Sequence, residues 1–315
     1  MNVALPIETT ETNCNFCGSH DDQLMFEGPD RLERLPGQFR LVQCRQCGLV
    51  RQNPRLTWNS LEAYYPENYI SYGQSNEHAQ AGRRWIADWG TRKRVNSVER
   101  HVRGGSILEV GCGTGLFIAG LLRRGHWQVT GIEPTKYACE YARTTTGATI
   151  YNNRFSEIQL PDGSFDVVAM WNVLEHVDDP SATLLQVSRL LRPQGLLVFS
   201  VPNVESLAAR VFGKYWLGWD QPRHLFLFPA PMLRPMLDQA GYDLVEIRCI
   251  STSYATLGVS LDFWTQTWED QHPRARKIVL RGYHSWLTRL LMLVPLWVLE
   301  RLKQTSIITY FVRKR

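Results

Sequence analysis

The 315-residue sequence predicts an α/β fold built on a parallel sheet, preceded by a small metal-binding module. Three stretches carry that prediction. Ser106–Gly115, Ser-Ile-Leu-Glu-Val-Gly-Cys-Gly-Thr-Gly, reads as a buried strand with Ile107, Leu108 and Val110 as its apolar run; it stops at Gly111, Gly113 and Gly115, and a helix follows over Leu116–Arg124. Gln128–Glu133 reads as a second strand that ends in an acid. Cys14-Asn-Phe-Cys17-Gly18 and Cys44-Arg-Gln-Cys47-Gly48 are two matching C-x-x-C knuckles.

Composition bounds the rest. The chain is 44% hydrophobic and 21% charged, as in a folded globular protein, with room for one ordinary α/β domain plus a smaller module. A net charge of +5 and a pI near 8.8 are only mildly basic, and scattered surface charge accounts for them. The first residues lack an apolar core, so no secretory signal is expected. Seven cysteines, four of them in the knuckles, fit a reducing compartment, and the cytoplasm is the expected location.

Taken in order, residues 1–56 are expected to form a four-cysteine zinc ribbon. Cys14, Cys17, Cys44 and Cys47 offer four thiolates, which satisfy tetrahedral zinc with no open position, so the site is structural. The glycine after each second cysteine permits the tight turn that aims amide N–H groups at sulfur. Residues 57–103 read as an aromatic connector and helical lid. Its tyrosines, among them Tyr64, Tyr65 and Tyr69, either pack the modules together or floor a substrate pocket. Glu77–Val102 reads as helical, with Trp85, Ile86, Trp89, Val95 and Val98 apolar, and Arg83, Arg84, Arg92, Lys93 and Arg94 as a solvated face.

Residues 104–315 are expected to form the main domain. After the glycine turn and the Glu133 strand come a helix over Lys136–Thr145 and a short third strand at Ala148–Tyr151. The turn Pro161–Asp166 leads into a fourth strand ending at Trp171. Asp178-Asp179-Pro180 opens a helix, as acids and proline at an N-terminus should. A fifth strand spans Leu196–Val201. A helix over Pro231–Gly241, a strand over Leu244–Ile250, a helical insertion at 252–305 and a last strand over Ser306–Val312 complete the chain.

A glycine-rich strand–helix turn also occurs in dinucleotide folds as G-x-G-x-x-G. Here the spacing is G-x-G-x-G with Glu109 just before it, followed by Glu133, Pro161-Asp-Gly-Ser-Phe-Asp166 and Leu174-Glu175-His176-Val177 in order. Over about Val102–Arg248 this resembles the class I S-adenosylmethionine (SAM)-dependent methyltransferases, specifically a branch with an N-terminal zinc ribbon that acts on sugars and small molecules. The resemblance implies a Rossmann-like seven-stranded sheet and SAM as cofactor. It places Glu109, Gly111, Cys112, Gly113, Gly115, Glu133, Pro134, Phe155 and Asn172 at the cofactor, the glycines presenting amide N–H groups outward and Glu133 accepting the ribose hydroxyls; a helix cap is the alternative for Glu133. Where many relatives carry an acid for the adenine amine, this chain has Arg154-Phe155, so backbone carbonyls are expected to read the amine beside Phe155.

The same resemblance puts a substrate-side histidine before the helix at 231–241. His224 is therefore the candidate general base, with a core histidine as the alternative; Glu175 and His176 are further catalytic candidates, or else hold their loop in shape. Arg223 and Tyr65 are candidate acceptor contacts, with Trp219 and Lys214 weaker. The implied activity is methyl transfer to a small polar acceptor, a sugar or a glycan- or lipid-linked intermediate. An RNA methyltransferase gripping nucleic acid with its ribbon is the first alternative, with modest basicity and the lack of a basic-aromatic platform against it; a non-catalytic binding module is the second and a nicotinamide oxidoreductase the third. Trp286–Leu302 is strongly apolar but too short and broken to span a bilayer. Packing or homodimerisation is preferred for it, and peripheral contact with the inner membrane face is the alternative.

Overall fold

The computed structural model describes residues 7–66, 81–250 and 253–315, the side chains of 81–87 excepted. Tyr69, Glu77 and the side chains of Arg83, Arg84, Trp85 and Ile86 lie outside the described residues. The chain opens with β1 (Thr9–Thr10), β2 (Asp22–Gly28), β3 (Phe39–Cys44), β4 (Val50–Gln52) and β5 (Arg55–Leu56), then α1 (Trp58–Leu61) and α2 (Ala81–Glu99). An alternation follows: β6 (Gly105–Val110), α3 (Leu116–Leu122), β7 (Trp127–Ile132), α4 (Lys136–Thr146), β8 (Thr149–Tyr151), β9 (Phe165–Trp171), α5 (Pro180–Leu190) and β10 (Leu191–Pro202). The remainder is α6 (Leu207–Phe212), β11 (Phe226–Leu227), α7 (Ala230–Gln239), β12 (Tyr242–Arg248), four helices α8 (Ser253–Gln266), α9 (Pro273–Tyr283), α10 (Trp286–Leu291) and α11 (Leu293–Arg301), and β13 (Ile307–Lys314).

By compactness the chain divides into two units: residues 1–60, 202–232 and 251–308, and residues 61–201, 233–250 and 309–315. This division cuts across the boundary expected at residue 104.

The second unit contains a seven-stranded sheet in the order β12-β13-β10-β9-β6-β7-β8. β10, β9, β6, β7 and β8 pair in parallel, and β13 runs antiparallel to β12. Strands buried on both faces need continuous apolar runs, and β9 (Val167, Val168, Ala169, Met170) and β10 (Leu196 to Phe199) supply them fully buried. β6 is the turning point of the sheet: the chain winds outward from it through β7 and β8, then returns to its other side at β9. Ligands of such sheets bind at the carboxyl ends of the strands at that reversal, here beside Val110 and Trp171. α5 starts as expected, with Asp179 accepting from the Ala182 N–H at 3.0 Å and Pro180 at its first position.

The first unit holds a four-stranded sheet, β11-β4-β3-β2. β11 pairs antiparallel with β4, Phe226 opposite Arg51, so the segment around residues 216–228 completes the cysteine module's own sheet. Gln52 Nε2 donates to the His224 carbonyl at 2.7 Å and Gln221 Nε2 to the Phe39 carbonyl at 2.7 Å. Trp216 and Trp219 join Leu41, Val50 and Leu227 in the core of this unit.

Two expectations are corrected here. Arg223 is fully buried: its guanidinium spans Asp30 (2.6 and 3.1 Å) and Asp220 (2.7 to 3.1 Å), so it ties β2's exit loop to the β11 approach rather than meeting an acceptor. A buried cation flanked by two carboxylates is satisfied internally. Trp219 is likewise a core ring, edge-on to Trp216 and Phe26, its Nε1 donating to the Gly213 carbonyl at 2.8 Å.

Candidate functional site

The loop after β6 is set by three glycines with positive φ: Gly111 (+66°), Gly113 (+53°) and Gly115 (+80°). They are not interchangeable. A Cβ on Gly111 would lie 2.6 Å from Val173 Cγ2, whereas one on Gly113 would meet nothing within 4 Å. Gly111 permits close packing; Gly113 borders open space.

The expectation that the loop amides point outward is overturned. The N–H groups of Gly111 and Cys112 both donate to the Ile132 carbonyl (2.8 and 3.1 Å), Gly113 donates to Glu133 Oε2 (2.8 Å), and Gly115 donates to the Cys112 carbonyl (2.9 Å). A phosphate-binding turn works by offering such donors to an anion; these four are already engaged. Cys112 is corrected with them, since its thiol is buried against Ile118, Cys139, Ala142 and Ile150, and burial pushes that thiol well up.

Two carboxylates flank the loop. Glu133 accepts from Gly113 and, through Oε1, from the Thr135 N–H at 3.0 Å. Burial raises its pKa while these donors pull it down. Glu109, buried at the end of β6, is raised further: desolvation dominates, the Glu133 charge adds to it, and Arg94 with the Ile118 N–H opposes it. Glu109 Oε2 has no hydrogen-bond partner among the described residues. A buried acceptor left open this way costs free energy unless a ligand donor completes it.

Arg94 is the residue that sequence reasoning missed. It does not join a solvated face; it is half-buried, 5.2 Å over the Trp171 ring and close enough to Glu109 to shift it. The signal was its spacing: Thr91, Val95 and Val98 are buried, so Arg94 falls on the inward stripe of α2. A guanidinium and an open carboxylate oxygen within electrostatic reach of each other suit the carboxylate and ammonium of an amino-acid zwitterion. Glu133 offers its remaining lone pairs to hydroxyl donors.

The far side of the site is built by residues 152–186. Asn152 Nδ2 donates to the carbonyls of Glu133 and Pro134, holding that turn. Phe155 is buried as an apolar wall, but its carbonyl and that of Ile158 already accept from Gln186 Nε2 (2.8 and 3.2 Å), which revises the expectation that free carbonyls read an amine there. After β9, Asn172 adopts φ +57° and is clamped: its N–H donates to Ser200 (3.1 Å), its Oδ1 accepts from Ser200 Oγ (3.2 Å), and its Nδ2 donates to Glu175 Oε1 (3.1 Å). Ser200, a lone hydroxyl in an apolar strand, was the other unread signal. Glu175 is fully buried, and next to it His176 Nδ1 lies 2.9 Å from the Tyr65 hydroxyl, bringing two predicted site residues together.

His224 belongs to the first unit. It is buried, and its Nδ1 donates to the Gly218 carbonyl at 2.7 Å, which leaves Nε2 as the basic nitrogen of the neutral ring. Desolvation lowers its pKa, Asp220 opposing. In the same unit the four sulfurs of Cys14, Cys17, Cys44 and Cys47 lie within 4.8 Å of one another. The knuckles repeat one hydrogen-bond pattern: Cys14 N–H to Ser19 and Gly18 N–H to Cys14, then Cys44 N–H to Leu49 and Gly48 N–H to Cys44, all 2.8–2.9 Å. Burial alone would raise Cys44, but the N–H groups of Cys47 and Gln46 and the adjacent thiols bring it down to about 7. The set could hold a thiophilic metal ion.

Against known proteins, a family model described as a methyltransferase domain matches residues 79–247. A ubiquinone biosynthesis O-methyltransferase from Idiomarina loihiensis is 33% identical over 170 residues, covering 49% of this chain and 69% of that protein. A protein of the same name from Neisseria meningitidis is 29% identical over 171 residues, covering 49% and 71%. Among solved structures, a SAM-dependent methyltransferase from Thermotoga maritima aligns with TM-score 0.51 at 18% identity, covering 82% of this chain and all of that one. The 1,6-didemethyltoxoflavin-N1-methyltransferase of Burkholderia thailandensis, solved with S-adenosylhomocysteine, aligns with TM-score 0.50 at 16% identity, covering 86% and 96%.

Two outcomes follow from the geometry. Gly113→Ala should cost about 1 kcal/mol of stability from its left-handed backbone, yet weaken SAM at least tenfold (~1.4 kcal/mol) by filling the open side of the loop; chemical denaturation and calorimetric titration separate the two. Because Glu109 is raised toward neutrality and a cationic ammonium favours its ionised form, SAM affinity should rise with pH through the Glu109 pKa, with proton release on binding below it. Calorimetry in buffers of different ionisation enthalpy reads that proton, and Glu109→Gln should abolish it.

Proposed function

This chain belongs to the methyltransferase-domain family, and from that premise we propose that it moves a methyl group from SAM to a hydroxyl of a small polar acceptor: a sugar, or a glycan- or lipid-linked intermediate. It is a SAM-dependent methyltransferase. The observation that carries the cofactor reading is the loop whose amides are already hydrogen-bonded while a buried carboxylate oxygen beside it is open. Such a site suits a cationic nucleoside rather than a diphosphate. A hydroxyl acceptor is supported by the relatives named as O-methyltransferases of ubiquinone biosynthesis, and the sugar or lipid-linked class rests on the resemblance to zinc-ribbon methyltransferases of sugars and small molecules.

Bound there, SAM supplies an activated methyl carbon through its sulfonium. Arg94 and Glu109 would hold the amino-acid end, Glu133 would accept the ribose hydroxyls, and Phe155 would supply apolar contact to the base. The protein's main work is then positioning and taking the acceptor's proton. His176 takes that proton, with Tyr65 fixing its ring through Nδ1; Asn172 and Glu175 hold the loop that carries it. A second reading keeps His224 as base, favoured by its Nδ1–H donation to Gly218, which presents Nε2 in basic form.

We also infer a structural zinc ion on Cys14, Cys17, Cys44 and Cys47, supported by the gathered sulfurs and the repeated knuckle turns.

His176→Asn should lower kcat by about a hundredfold or more with SAM affinity retained, and Tyr65→Phe by less. If instead His224→Asn removes the acid limb of the kcat/KM profile, and that limb lies below the ordinary histidine range near ~6.5 as burial of His224 requires, the second reading holds. Metal analysis of the purified full chain should find one zinc per chain, lost together with thermal stability in Cys44→Ser. A folded, metal-free wild type would refute that ion.

A further inference from the structure

The insertion carries a large apolar surface that the protein itself does not cover. In α10, α11 and the residue after them, Trp286 is 75% exposed, Leu291 65%, Val294 69% and Trp297 56%, with Leu287, Leu290, Leu293 and Leu302 also exposed. Ile278 on α9 adds to them at 71%. Met292, Leu296 and Leu299 are only partly exposed, so the helices present one apolar face inward and a second outward. Of the two arms of the expectation, packing within the chain and homodimerisation, this exposure speaks against the first. Contiguous exposed apolar surface of this kind marks a docking site.

Charge identifies what docks. Between Pro273 and Lys303 the chain has Arg274, Arg276, Lys277, Arg281, Arg289, Arg301 and Lys303 against the single acid Glu300. Arg276 is tied to Asp262 and Glu269; the other six cations are exposed. Arg301 lies 5.1 Å over the Trp297 ring, an amphipathic pair of the kind that sits at headgroup depth. A second copy of this chain would bring like charge against like, with one acid per copy to offset six cations. No helix of the described residues is long and apolar enough to cross a membrane, and α10 and α11 are only six and nine residues long.

We propose that α9, α10 and α11 form a docking surface for an anionic lipid bilayer, lying in its interface with Trp286, Leu290, Val294 and Trp297 among the acyl chains and Lys277, Arg281, Arg289, Arg301 and Lys303 at the headgroups. Short helices that bury one apolar face and carry cations at its border bind this way, each basic side chain adding to the affinity for anionic lipid. The surface lies beyond the residues matched by the family model. The inference does not depend on which acceptor is methylated.

The test is flotation of the full-length protein with phosphatidylcholine vesicles, with and without phosphatidylglycerol. Wild type should float with the anionic vesicles, much less with the neutral ones, and lose binding as salt rises. Leu290→Glu/Val294→Glu should reduce flotation at least about tenfold, and Lys277→Glu/Arg281→Glu should remove the preference for anionic lipid. Both pairs are exposed, so SAM binding, measured in parallel, should persist and exclude misfolding. Brominated lipid should quench wild-type tryptophan fluorescence, and Trp286→Phe/Trp297→Phe should bind yet lose most of that quenching. Absence of flotation with anionic vesicles, equal binding to neutral ones, or a solution dimer that Leu290→Glu/Val294→Glu dissociates would each overturn the proposal.

Discussion

The site rests on one hydrogen bond between neighbouring strands. The Gly113 N–H, exposed by a backbone turn that only glycine adopts cheaply, donates to the Glu133 carboxylate at the end of the next parallel strand. That bond holds the loop after β6 against the turn after β7, with Ile132 accepting from Gly111 and Cys112 on the same side. The donors that would otherwise attract an anion are consumed in shaping the loop. What remains exposed to a ligand is the acceptor character of two buried acids.

Retaining Glu109 in that position is costly. A carboxyl desolvated this strongly, with a second acid adding to the penalty, weakens folding unless a cation completes it. Arg94 offsets part of the cost, and a bound ammonium would offset more. Similar logic ends differently at Arg223. There Asp30 and Asp220 satisfy the guanidinium within the protein, so the charge holds structure and has no capacity left for a ligand. A half-buried and a fully buried arginine are thus separated in role by whether their partner carboxylates are saturated.

The cysteine module also draws on distant sequence. β11 adds a strand beside β4, and Gln52 and Gln221 lock backbone carbonyls of the opposite segment. Trp216 and Trp219 fill the core beneath. Trp216, Trp219 and Gln221 of the segment before α7 therefore have a structural purpose that needs no ligand.

Much of this was legible from residue order alone. Apolar runs located β6, β9 and β10, a strand ending in an acid located β7, and Asp179-Pro180 marked the start of α5, because strand burial and helix capping are local physics. The carboxylates Glu109 and Glu133 and the four cysteines were placed for the same reason: each sits at a fixed offset from a turn. Which amides of the glycine loop stay free, whether Arg94 faces water or Glu109, whether Arg223 meets a ligand or two aspartates, and whether residues 286–302 are covered were decided only by tertiary structure. Those outcomes depend on partners far away in sequence, since a charged or apolar side chain takes its role from the group that packing brings against it.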